Sequence, residues 1–266
     1  MAAIEVEEKG AVDWVTLNRP DSLNAMNPEM IEALGSYFRG LADRQHRRIV
    51  VLRGKGKAFC AGLDLKNEAE RDANAAPPDI AAGLRVQRRI ANIYLAMRRC
   101  PQPIISLIQG PACGGGFSLA MASDIRIAAD SARMNCAYVR IGLGGCDMGS
   151  SYFLPRLVGA SLAAELILTG KFITADRALS LGLVSRVVPE DELERTAEED
   201  IRLMLGTSPI GLRLSKEALN INLDAGSLEA AIAIEDRNQI LCANSPDFAE
   251  GVHAFLERRE PQWKVD

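Results

Sequence analysis

Three consecutive glycines, Gly114 to Gly116, open an apolar helical run in the stretch GPACGGGFSLAMASD, residues 110–124. Glycine has the most conformational freedom to lose on folding, so a run of it at the mouth of a helix costs stability. Two returns can offset that cost. One is tight packing of the helix. The other is close approach of a ligand atom to bare backbone, where the first amides of a helix have no partner and the dipole is positive. A second glycine-bearing loop, AFCAGLDL at 58–65, also follows an apolar run. Two backbone N–H groups from such loops, aimed at one oxygen, form an oxyanion hole, which stabilises charge developing on a carbonyl oxygen. Ser118 offers a different chemistry. Gly116-Phe117-Ser118-Leu119-Ala120 nearly matches the G-x-S-x-G nucleophile elbow, lacking its final glycine. A serine nucleophile needs a base, and the chain holds only two histidines: His46, expected on a surface helix, and His253, expected in the last helix.

Both glycine loops need rigid supports. RIVVLRG at 48–54 and PIISLI at 103–108 read as short buried strands by their β-branched composition. In α/β sheets ligands collect at the carboxyl ends of strands, which is where both loops begin. With a helix over 79–99, the helix after the glycine run and a strand at 125–129, residues 48–129 alternate strand and helix. That alternation predicts parallel strands joined by crossover helices. Upstream, 3–8 and 12–17 read as a strand pair turning at Gly10. Residues 28–44 read as a helix, with Pro28 in its first turn and Met30, Ile31, Leu34, Phe38 and Leu41 on one face. Residues 67–78, Ala-rich, charged and ending in Pro77-Pro78, read as a mobile surface segment. After residue 150 the pattern is helical, over 150–168, 174–181, 190–205, 208–222, 227–241 and 246–258, with VSRVV at 184–188 the one clear strand. The fold class is α/β. The organisation predicted is an α/β core over residues 1–190 and a helical C-terminal region over 191–266. Arg85, Arg88, Arg89, Arg98 and Arg99 read as a solvated helix face, and Asp124 as a structural turn residue between helix and strand.

Composition narrows the function classes. The net charge of −4 over 266 residues does not suggest nucleic-acid binding. No stretch approaches the length of a membrane span, and the opening MAAIEVEEKG is acidic without the apolar centre of a secretory signal, so a cytoplasmic protein is expected. The six cysteines show no paired spacing and the two histidines are far apart, so no metal site is expected. Neither GxxxxGK[ST] nor a properly placed GxGxxG is present, which argues against a phosphate-cradling nucleotide loop.

In this order and spacing, NRPDSLNAMNPEM, KAFCAGLDL, PIISLIQGPACGGGFSLAMASDIRIAA, LPRLVG, LTGKFITADRALSLGLVSRVVP and FLERREPQW resemble the crotonase, or enoyl-CoA hydratase/isomerase, superfamily nearly end to end. The resemblance implies a crotonase-like fold of repeated ββα units with a helical C-terminal trimerisation region, assembling as trimers often paired into hexamers. It implies an acyl-CoA thioester as substrate, with coenzyme A as part of that substrate and no separate cofactor. It implies that the backbone amides of Leu63 and Gly115 form the oxyanion hole. It also places Ala25, Lys57, Ala61, Asp64 and Leu65 near the coenzyme A, with Lys57 able to neutralise a phosphate.

The match fails where the family's hydratases carry their two water-activating glutamates. Those positions are Ser118 and Tyr138 here, with Ala137 in place of the usual proline. Neither a serine nor a tyrosine of pKa near 10 replaces a carboxylate in general acid/base hydration. Asp147, in GLGGCDMGSSYFLPRLVG, resembles the substrate-facing aspartate of the family's dienoyl-CoA isomerases. Its apolar neighbours predict a raised pKa suited to proton transfer, although an aspartate ahead of a helix can also be a plain cap. The expectation is therefore enolate chemistry with Asp147 as proton carrier, isomerisation being favoured over hydration. Two alternatives stand beside it: a thioesterase using Ser118, and a protein that binds acyl-CoA without turnover. Tyr138 could also orient a substrate carboxylate or enol.

Overall fold

The strands that carry the two glycine loops are neighbours. In the computed structural model, which describes residues 2–66 and 79–264, β3 (Ile49–Gly54) and β4 (Ile104–Ile108) pair in parallel with Val51 opposite Ile105. They are central in a six-stranded sheet whose order is β1 (Ile4–Lys9), β2 (Val12–Leu17), β3, β4, β6 (Ile125–Ala129), β9 (Arg186–Val188). Only β1 and β2 run antiparallel. A second, small sheet joins β5 (Ala112–Cys113), β7 (Arg133–Asn135) and β8 (Ile173–Thr174).

Side chains alternate across a strand, and both faces of this sheet are apolar. Val50 and Leu52 of β3 and Ile104 and Ile108 of β4 face the larger core, shared with α1 (Pro28–Gly40), α2 (Ile80–Arg99) and α3 (Gly115–Ala122). Ile49, Val51, Ile105 and Leu107 face a second core that Leu193, Ala197 and Ile201 of α7 (Leu193–Leu205) close. The helices start where their caps allow. Asn27 accepts from the Met30 amide at 2.9 Å ahead of Pro28, and Asp79 accepts from the amides of Ala81 and Ala82.

The helix expected over 150–168 is two helices, α4 (Ser150–Val158) and α5 (Ala160–Thr169). Gly159 lies between them at φ +81°, ψ 158°, a conformation that only glycine adopts without strain. The strands β5, β7 and β8 were not anticipated, because runs of two or three residues show no periodicity. The segment 67–78, read as mobile, lies outside the described residues. The chain continues through α6 (Ala175–Ser180) and ends in α8 (Pro209–Asn222), α9 (Leu228–Ala243) and α10 (Pro246–Glu257).

The end of α2 is fastened to α8. Lys216, its side chain 4% exposed, donates to the carbonyls of Met97 and Gln102 and pairs with Asp124 at 2.9 Å. Arg98 joins the same carboxylate at 3.3 Å. It is therefore half-buried and ion-paired, not part of the solvated face expected for it, because the chain turn at Asp124 comes within its reach. Asp124 also accepts from the Ile104 amide at 2.8 Å, the structural role expected of it.

Candidate active site

Backbone hydrogen bonds lock the two glycine loops together: the Cys60 amide donates to Pro111 O at 3.2 Å and the Cys113 amide to Cys60 O at 2.9 Å. Gly62 brings them closer still. It sits at φ +99°, and a Cβ there would lie 2.9 Å from Cys113 O and 3.6 Å from the Gly115 nitrogen. Leu63, the next residue, is half-buried and pairs as a single bridge with Met26. That bridge uses the amides of Met26 and Asp64, donating to Gly62 O and Met26 O, and leaves the Leu63 N–H free. Among the described residues neither the Leu63 amide nor the Gly115 amide has a hydrogen-bond partner.

The three glycines of the run serve different ends. Gly114 takes φ +49°, ψ −119°, which admits only glycine. A Cβ on Gly116 would lie 2.2 Å from the backbone oxygen of Cys60, so that position is tight packing. A Cβ on Gly115 would instead meet the side-chain ends of Met26, Met148 and Tyr94, at 2.5, 3.0 and 3.1 Å. Packing and ligand access thus divide between neighbouring residues. The amide at the helix mouth belongs to the glycine that faces side chains instead of backbone.

Asp147 approaches this point through its neighbour Met148. Its Oδ1 accepts from the Met148 amide at 2.7 Å and from Gln87 Nε2, on α2. It makes no side-chain cap to α4, so the capping role weighed for it is not the one it plays. Burial raises its pKa above the usual carboxylate value, and the two hydrogen bonds pull the other way. Among the described residues it forms no ion pair. Its charge acts on two buried phenols, Tyr94 and Tyr138, both held protonated chiefly by burial. Tyr94 Oη lies 3.0 Å from the Gly115 carbonyl oxygen, to which it donates, and 3.1 Å from Met148 Sδ.

Ser118 and Tyr138 meet. Their hydroxyl oxygens are 2.8 Å apart and both residues are buried. No histidine joins them: His253 is exposed on α10, and His46 lies in an exposed turn after α1 instead of on the helix expected, because α1 ends at Gly40.

The family profile described as enoyl-CoA hydratase/isomerase matches residues 7–266. The protein named "Probable enoyl-CoA hydratase echA12" of Mycobacterium bovis is 38% identical over 258 residues, covering 95% of this chain and 89% of that one. The 1,2-epoxyphenylacetyl-CoA isomerase of Escherichia coli is 35% identical over 256 residues, covering 96% and 95%. Among solved structures, an enoyl-CoA hydratase from Bacillus anthracis superposes with a TM-score of 0.91 at 33% identity, over 99% of this chain and 100% of that one. This chain belongs to the enoyl-CoA hydratase/isomerase family. It is an enzyme of that family, with the crotonase-like fold.

In this member of the family the residues expected near coenzyme A fall in two places. Ala25, Ala61, Asp64 and Leu65 lie on two loops that Arg19 ties together, through the Ala25 carbonyl and through Asp64 at 2.8 Å. That ion pair holds the Asp64 carboxyl below its usual pKa and makes it a loop-shaping residue. Lys57 is exposed and lines a cavity of about 690 Å³ with Arg53, Gln109 and Arg133. None of Leu63, Gly115 and Asp147 lines that cavity.

Sequence reasoning missed Gln87, Tyr94 and Met26. A signal for the first two exists: Gln87, Ile90, Tyr94 and Met97 recur at helical spacing, so a polar Gln87 stands in line with a buried stripe. Among the described residues no group of three His, Cys, Asp or Glu is arranged to hold a metal ion, and no helix is long and apolar enough to cross a membrane.

Proposed function

We propose that this enzyme moves the double bond of an enoyl-CoA thioester through an enolate. The Leu63 and Gly115 amides hold the thioester oxygen. Asp147 takes a proton from one carbon as a carboxylate, the acid so formed exchanges with solvent while the enolate is held, and it then delivers a proton to another carbon, closing the cycle with no net water consumed. Each amide donor contributes a factor of about 10²–10³ to the rate in a site of this kind. The observation that carries the reading is Asp147 itself: among the described residues it has no ion pair, and its neighbour Met148 reaches the Gly115 end of two loops whose Leu63 and Gly115 amides have no partner there. Asp64, the other nearby acid, is committed to Arg19.

Isomerisation is favoured over hydration because the two positions that would hold water carry a hydroxyl pair. It is favoured over hydrolysis because Ser118 pairs with a tyrosine and not with a base. Ala25, Lys57, Ala61, Asp64 and Leu65 would bind the coenzyme A portion, and Ser118 and Tyr138 would border the acyl group. Residues 1–190 would form the acyl-CoA-binding core and 191–266 the region of self-association. Leu219 (72% exposed), Leu228 (72%) and Phe255 (83%) leave α8, α9 and α10 with an apolar surface suited to a trimer or hexamer. Six free cysteines fit a reducing, cytoplasmic compartment.

The test is mass spectrometry in heavy water with 2-enoyl, 3-enoyl and dienoyl-CoA esters. The expected result is deuterium uptake by wild type that is lost in Asp147→Asn. Gain of one water would show hydration instead, release of free coenzyme A would point to Ser118, and tight binding with no mass change would show a binding protein.

A further inference from the structure

Gln87 and Tyr94 lie seven residues apart on α2, two helical turns, and so project from one face. Each reaches a different half of the site. Tyr94 donates to the Gly115 carbonyl, and Gln87 donates to Asp147. Between them Ile90 is buried in the main core, and Ile93 and Met97 continue the buried stripe. One rigid helix therefore sets the distance between the glycine loop and the acid.

We propose that Gln87 is the positioning residue of the proton carrier: with the Met148 amide it holds Asp147 by Oδ1 and leaves Oδ2 as the oxygen that moves the proton. The inference rests on the reading of Asp147 as proton carrier. Both hydrogen bonds fall on Oδ1, and Oδ2 has no partner among the described residues. A carboxylate on a loop rotates freely unless one oxygen is held. A neutral amide donor holds it without quenching its charge, as a lysine or arginine would.

The groups facing Asp147 are few. Tyr94 of α2 and Tyr138 beyond β7 are buried phenols that stay protonated, and Cys146 beside it in the chain is exposed. Among the described residues no lysine, arginine or histidine pairs with it. A hydrogen bond to the charged form lowers a carboxyl pKa, so losing the Gln87 bond raises it further.

The experiment is the pH dependence of deuterium exchange by the full chain, for wild type, Gln87→Met, Gln87→Glu and Asp147→Asn. In Gln87→Met the acid limb of activity should move up by about one pH unit and kcat should fall, with KM little changed. Gln87→Glu keeps the shape but adds a like charge, so its shift should be larger in the same direction. It also keeps the test open if Gln87→Met fails to fold. Unchanged profiles in the Gln87 variants, with Asp147→Asn inactive, would overturn the role of Gln87 alone. Full exchange by Asp147→Asn would overturn the assignment of Asp147, and this inference with it.

Discussion

Ser118 Oγ and Tyr138 Oη lie 2.8 Å apart as a buried, hydrogen-bonded pair. Neither hydroxyl can serve as a base near neutral pH: burial pushes the Tyr138 phenol above its ordinary value, against a smaller downward pull from Ser118. The pair should behave as structure. Ser118→Ala and Tyr138→Phe each strand one buried hydroxyl and should cost about 1–3 kcal/mol, whereas the double variant should cost less than the sum, because no orphan remains. Urea unfolding at one fixed protein concentration reads this. Strict additivity would show that the two hydroxyls do not depend on each other.

The glycine run makes a sharper contrast. Gly116→Ala drives a methyl to 2.2 Å from the Cys60 backbone oxygen, which cannot move without breaking the loop pairing, so a loss of about 3 kcal/mol is expected. Gly115→Ala meets side-chain ends, the nearest being Met26 Cε, which can swing away. It should cost less than about 1.5 kcal/mol of stability yet lower activity, since the methyl enters the space beside the Gly115 amide. If the two variants unfold alike, the division of roles along the run is wrong.

The loops themselves were legible in the sequence because glycine is informative where it is unfavourable, and strands β3 and β4 because continuous β-branched runs are. Asp147 was legible only through its resemblance to an aspartate in related isomerases. Gln87 and Tyr94 were not, since a helix face shows what is buried but not what it is buried against, and sixty residues separate Gln87 from Asp147. Arg98 misled for the same reason. Its partner Asp124 comes within reach only once β4 and β6 have paired.

Removing the amides tests the proposed oxyanion hole without altering the loops greatly. Leu63→Pro deletes an N–H that makes no hydrogen bond in the loop, because the bridge to Met26 runs through Gly62 O and the Asp64 amide. Gly115 is the first residue of α3, where proline suits helical geometry, though its ring must displace Met26. Each variant that keeps wild-type circular dichroism and assembly should lose about 10²–10³ in kcat. Full activity in both folded variants would remove the oxyanion assignment.

Asp147 should make the fold less stable as pH rises. Its native pKa lies above the unfolded value because burial penalises the charged form, so the native state holds the proton more tightly than the unfolded chain does. Its stabilising contribution is complete below the unfolded pKa, near 4, and is lost as pH climbs through the raised native value. Asparagine keeps the shape and never ionises. Asp147→Asn should therefore melt above wild type at pH 7, and the gap should close as pH falls to about 4. A thermal-melting series across that range decides it. A gap that is constant with pH would mean that Asp147 titrates alike folded and unfolded, and the argument for a tuned proton carrier would lose its physical basis.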